Sequence, residues 1–226
     1  MRQLLVILSL GLALAGCSRS PEQPATEGQD QPPTLSQAPA SEAAQPISLR
    51  IPSVGVDSMD PNWLPLGVQG QPQGDRTVPV TPPGEAGQIE VPPLDDPLKL
   101  GFYCPDGFPV CGSPVPGQPG PTVVVGHVNG NHKAGVFAKL RQVKVGDKIF
   151  IGRKDDRTVT YHVTRVSEPL KTAFPTQEVY GDTKIPALRL ITCGGGSNAL
   201  EHTAGGASYV NQTIVFADQD SVSKTP

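Results

Sequence analysis

Four cysteines and four histidines carry most of the nucleophilic and proton-transfer chemistry open to this 226-residue chain. Cys193 ends the apolar run "LRLIT" and is followed by Gly194, Gly195 and Gly196, where other backbone can approach closely. It is either a nucleophile or a small buried hydrophobe. A working cysteine reacts as its thiolate, and a departing amine must be protonated, so a nucleophilic Cys193 needs an acid and base partner. His162 sits in the polar phase of an alternating stretch, His132 in the loop "NGNHKAG", and His202 in a Gly- and Ala-rich segment. His127 instead closes the apolar run "TVVVG", at a strand end where it can face another strand end. Cys104 and Cys111 flank the turn-rich "PDGFPV", and in an exported protein this pair is expected to form a disulfide. Closing so small a loop is worth roughly 2 to 3 kcal/mol. The rival reading is a zinc site, which needs two further ligands.

The beginning of the chain sets the compartment. Arg2 precedes "LLVILSLGLALAG", too short for a comfortable membrane span but suited to an export signal. That segment ends in Leu14-Ala15-Gly16-Cys17, which resembles the lipobox of bacterial lipoproteins and implies a diacylglycerol on the Cys17 sulfur. Residues 1–16 are therefore expected as a signal peptide. Residues 17–46, rich in Pro, Gln, Ser and Ala, are expected as a disordered tether. Arg19 stands there against Glu22, Glu27, Asp30 and Glu42, while charges in the rest of the chain nearly balance. No basic stripe suggests nucleic acid.

Residues 47–218 are long enough for one core, with 219–226 expected as a tail. Their apolar segments are short, rich in Val, Ile, Thr and Tyr, and separated by Gly, Pro, Asn and Asp, which predicts an all-β domain. Strands are expected at 47–51, 77–80, 122–128, 147–151, 157–166, 187–193 and 209–217. Within the fifth, Val159, Tyr161 and Val163 alternate with Thr158, Thr160 and His162. Short helical turns are expected at 136–140 and 176–180. With 26 prolines and 25 glycines, long loops around a closed or nearly closed barrel are expected.

The motifs "TVVVGHVNG", "GVFAKL", "VGDKI", "FPTQEVYGD" and "LRLITCGG", in this order, resemble the class F sortases of actinobacteria across about residues 47–217. The resemblance implies a closed, eight-stranded sortase β-barrel and a cysteine transpeptidase that cuts LPXTG-type sorting signals of surface proteins between Thr and Gly. It implies that Cys193 is the nucleophile and His127 the acid and base. From their places beside Cys193, Thr192 and the Gly194 amide are expected to help place the peptide and its oxyanion. Neither a metal nor another cofactor is expected. The partners would be the sorting signal, an amine acceptor such as one on cell-wall peptidoglycan, and the membrane lipid that anchors Cys17. The expected location is the outer face of the cytoplasmic membrane. The sequence departs from the family pattern where an arginine is expected, because Val210 stands there and no Arg or Lys lies between Cys193 and Asp218. Asn211, Gln212 or the Gly194 amide are candidate replacement donors. Arg76, Arg165 and Arg189 read as solvated charges. The alternative is a sortase-fold peptide-binding module with weak or lost catalysis.

Overall fold

The computed structural model describes residues 44–59, 63–68, 72–73, 76–77, 89–106, 111–130, 132–194, 200–203 and 206–225. Cys17 and the expected strand residues 78–80 lie outside them. Nine strands form the main sheet: β1 (Pro46–Ile51), β2 (Val56–Met59), β3 (Leu64–Leu66), β4 (Leu100–Tyr103), β5 (Gly120–Gly126), β6 (Lys148–Arg153), β7 (Arg157–Ser167), β8 (Pro186–Cys193) and β9 (Gln212–Lys224). Their spatial order is β2-β1-β6-β7-β9-β8-β5-β4-β3. Neighbours are antiparallel except β5 with β8 and β3 with β4.

The expected closed barrel of eight strands is corrected to a curled half-barrel of nine, in which no ladder joins β2 to β3 among the described residues. β3 has only three residues, one of them Pro65, which lacks the amide proton a further ladder would require. The end of the chain is also corrected. Residues 219–224, expected as a tail, continue β9 and pair with β7 as far as Arg157 opposite Lys224. Alternation explains it: Ser221 and Ser223 are polar, yet their backbone completes the ladder of an otherwise bare edge.

β5 and β8 are interior strands of the sheet and are buried on both faces, which is why they read as continuous apolar runs. On the inner face Val124, Leu188, Leu190 and Val215 join Leu49, Ile51, Ile149, Ile151, Tyr161 and Phe137 in the larger core. On the outer face Val123, Val125, Ile191, Ile214 and Phe216 form a second core. Each fully buried aliphatic side chain contributes about 1.5 to 3 kcal/mol. The outer core is capped by α1 (Thr176–Tyr180), whose Val179 and Tyr180 are buried. The Tyr180 ring lies 5.4 Å from that of Tyr103 and 6.0 Å from that of Phe174. Burial pushes the Tyr103 phenol up to about 12, and the nearby Asp106 carboxylate adds to the shift. The other expected helical turn is displaced by a few residues, appearing as a 3₁₀ turn at Leu140–Gln142.

Candidate functional site

The parallel pairing of β5 with β8 fixes the relation between the two residues singled out for chemistry. Ile191 is the partner of Val125, and two residues further along each strand stand Cys193 and His127. Side chains at i and i+2 share a face, so both belong to the outer-face series of Val125 and Ile191. Adjacent strands run about 4.8 Å apart, which sets the two side chains at neighbouring strand ends above one apolar floor. Ile214 and then Gln212 continue that floor on β9, with Gln212 directly opposite Cys193.

His127 is buried, and its Nε2 lies 2.6 Å from the Pro92 carbonyl oxygen. An imidazole nitrogen facing a carbonyl must carry the proton, so Nε2–H donates and Nδ1 is the nitrogen left for proton transfer. The backbone of His127 is held as well. Its carbonyl accepts from the Phe137 amide at 2.9 Å, after a hairpin in which Asn129–Gly130 pairs with Lys133–Ala134. Gly135 packs so closely beneath that carbonyl that a side chain there has no room.

Cys193 ends β8, is half-buried, and takes no part in the disulfide that joins Cys104 and Cys111 as expected. Gly194 follows at φ +93°, a left-handed conformation suited to glycine. Its amide donates to the Asn211 carbonyl at 2.9 Å, and its carbonyl accepts from the Thr213 hydroxyl at 2.6 Å. The Gly194 amide is thus committed within the turn. The Asn211 side chain is committed too, donating from Nδ2 to the Glu168 carbonyl. Val210, at the position lacking an arginine, has its carbonyl on the Lys171 amide.

Thr192 faces the opposite side of β8 from Cys193. It is 3% exposed, and its hydroxyl has no hydrogen-bond partner among the described residues. Thr192 also lines a small cleft, together with Cys193, Gly194, Tyr209, Thr213, Val128, Phe137, Ala138 and Arg141. The Tyr209 hydroxyl accepts from Asn129 Nδ2 at 2.8 Å, leaving its own proton available. Sequence reasoning missed Arg141 and Tyr209. A signal for Arg141 existed: positions 137, 138 and 141 share one face of a helical turn, so extending the expected turn by one residue sets Arg141 beside Phe137.

The other candidate cations are placed elsewhere. Arg189, expected as a solvated charge, is only 7% exposed. Its Nε donates to the Glu178 carbonyl at 3.3 Å, Nη1 donates to the Leu188 carbonyl, and the guanidinium lies 4.8 Å from the Phe216 ring centre. Burial pulls it down to about 10. The physical reason is α1, which covers this part of the outer face. Arg165 pairs with Glu178 and stacks on the same Phe216 ring at 3.8 Å. The Arg76 and His202 side chains lie outside the described residues. His162, in the polar phase of its strand as read from the sequence, bonds through Nδ1 to Asp220 at 2.7 Å on the polar face of the sheet.

Comparison with known proteins places residues 73–219 in the family described as Sortase domain. No curated protein matches the chain. Among solved structures, sortase C1 from Streptococcus suis is similar at 17% identity and a TM-score of 0.48, covering 80% of this chain and 75% of that one. Sortase A from Listeria monocytogenes is similar at 18% identity and a TM-score of 0.47, covering 81% and 92%. The lid mutant of sortase A from Corynebacterium diphtheriae is similar at 21% identity and a TM-score of 0.46, covering 77% and 69%.

Proposed function

The chain belongs to the sortase family, and from that premise we propose that it is a cysteine transpeptidase of class F type, anchored by lipid on Cys17, that cuts an LPXTG-type sorting signal through a Cys193 thioester. The observation that carries the reading is the register of β5 against β8, which aligns the ends bearing His127 and Cys193 on one face.

In this mechanism the Cys193 thiolate adds to the Thr carbonyl carbon of the signal; the C–S bond forms and the carbonyl electron pair moves to oxygen. When the tetrahedral species collapses, the Thr–Gly C–N bond breaks, and His127, as imidazolium, gives its Nδ1 proton to the departing amine. An incoming amine on an acceptor such as peptidoglycan then attacks the thioester, loses a proton to neutral His127, and restores the thiolate. The apolar floor of Val125, Ile191 and Ile214 supports the nonpolar part of the signal. Thr192, expected to help place the peptide, faces the other side of β8 from the Cys193 thiol, and its hydroxyl is buried there.

Incubation of the purified protein with LPXTG-type peptides, followed by mass spectrometry, tests this. A thioester on Cys193 is expected, absent in Cys193→Ala and nearly absent in His127→Ala. Peptide cleavage surviving Cys193→Ala undiminished overturns the mechanism. The second reading, a binding module, is favoured by Val210 and by the commitment of the Gly194 amide; binding of the peptide with no adduct would establish it. For the anchor, Cys17→Ala should yield an unprocessed or released form. Unchanged membrane retention of a processed protein would refute that part alone.

A further inference from the structure

The attack proposed for Cys193 places negative charge first on sulfur and then on the carbonyl oxygen, and both need a fixed positive counterpart or hydrogen-bond donors. Several of the backbone and side-chain groups nearest in sequence are already engaged. The Gly194 amide donates to Asn211, the Asn211 amide group to Glu168, and the Gln212 backbone amide to Pro169. Arg189 and Arg165 are held around Phe216 and Glu178, under and beside α1.

One charged group lining the cleft at Cys193 is uncommitted among the described residues. It is the guanidinium of Arg141, the only cation among the described lining residues, which no described carboxylate pairs. We propose that Arg141 is the cation of the Cys193 site: its guanidinium stabilises the Cys193 thiolate and the oxyanion formed when that thiolate adds to the substrate carbonyl. This rests on Cys193 being the nucleophile.

The turn that carries Arg141 is built into the same unit as the histidine. The His127 carbonyl accepts from Phe137, the Phe137 carbonyl accepts from Leu140, and the side chains of Phe137 and Leu140 are fully buried in the inner core. A shift of the 3₁₀ turn Leu140–Gln142 therefore costs core packing, so the base of the Arg141 side chain is fixed relative to both His127 and β8. Among the described residues, the ionisable groups near Cys193 are then His127 at the neighbouring strand end and Arg141 and Tyr209 in the cleft lining. A guanidinium suits this role, since its planar fork can reach sulfur and oxygen together. No new atoms enter the reaction. Arg141 keeps its protons throughout, while His127 alone exchanges one.

The test uses the full chain carrying Cys17→Ala, so that Cys193 is its one alkylatable thiol once the disulfide has formed. Iodoacetamide alkylation is followed against pH, and thioester formation with an LPXTG-type peptide is followed by mass spectrometry. Arg141→Gln should move the alkylation midpoint to higher pH and slow thioester formation by about tenfold or more. Arg141→Glu should move both further, and Arg141→Lys should restore part of each, all at unchanged thermal stability because the side chain is exposed. Equal midpoints and equal rates across the series would overturn the proposal. Absence of any thioester in the parent protein would instead overturn the transpeptidase reading, while the alkylation midpoints would still decide whether Arg141 acts on the thiol.

Discussion

Gly135→Ala offers a way to displace His127 without touching its side chain. A methyl group built on Gly135 overlaps the His127 carbonyl oxygen, and the carbonyl carbon is only 2.6 Å away. Nonbonded carbons settle at about 3.5 Å or more, so one segment must move by about 1 Å. The obstacle is backbone, not a flexible side-chain tip. That carbonyl is held by the Phe137 amide at 2.9 Å, the imidazole by Pro92 at 2.6 Å, and the Gly135 amide itself by the Val128 carbonyl at 2.9 Å. Overpacking of this kind costs about 1 to 3 kcal/mol, which for a domain of this size corresponds to a fall in Tm of roughly 2 to 12 °C. A misplacement of about 1 Å at a catalytic group lowers the rate by about 10²-fold. Thermal unfolding and single-turnover thioester formation at 25 °C should therefore both change. Gly146→Ala is the control, since Gly146 at φ +91° has nothing within 4 Å of the added carbon: it should lose stability through backbone strain and keep its rate. If Gly135→Ala lost stability but formed the thioester as fast as the parent, the argument that Gly135 packing positions His127 would be refuted.

Arg189→Gln should lower stability by about 1 to 3 kcal/mol, through loss of its bond to the Glu178 carbonyl and its stacking on Phe216, and leave thioester formation per folded molecule unchanged. Thermal unfolding measured beside the single-turnover rate checks this, and a selective loss of rate would refute it. The Asp220 carboxyl is held below its ordinary 3.8, first by the hydrogen bond from Lys148 Nζ, with burial opposing and the bond to His162 assisting. A depressed folded value stabilises fully above pH 3.8 and loses that contribution as pH falls through the lower folded value, so Asp220→Asn should flatten the acid limb of stability against pH. Retention of the parent's acid limb would contradict the linkage. In protein carrying Cys17→Ala, one thiol per folded chain should react with a maleimide without reductant, and three would contradict the Cys104–Cys111 disulfide.

How far the sequence could be read depended on how locally each feature is determined. β7 was legible because Val159, Tyr161 and Val163 alternate with polar residues over one long strand, and the burial follows that alternation. Val179 and Tyr180 sit in a single short turn whose limits Pro175 and Gly181 mark. β2, β3 and β4 were not legible. They are three or four residues long, and the pairing of β3 with β4 depends on Leu66 filling the space left by the missing side chain of Gly101, a contact between distant residues. At the candidate site, strand ends identified His127 and Cys193, while their alignment needed the parallel register. The burial of Arg189 depends on α1 lying across β8, and no pattern within the strand itself records that cover. Arg141 escaped for a related reason: its turn meets β8 only after the chain has passed through β6 and β7.

The β5–β8 ladder joins segments 66 residues apart, as Ile191 opposite Val125 shows, and a parallel pair cannot form until the whole intervening crossover has been laid down. β8 also needs β9 as its other neighbour, so the alignment of His127 with Cys193 waits for the C-terminal strand. Long-range closure of this kind is slow, because chain entropy is lost before contacts compensate for it. On the export route proposed here, the chain would pass through the translocation channel as an ordinary thiol-bearing polypeptide. Its histidine and cysteine would come together only after the last strand had emerged. Topology alone would then act as a timer, keeping an acyl-transferring thiol silent inside the cell without a propeptide or an inhibitor.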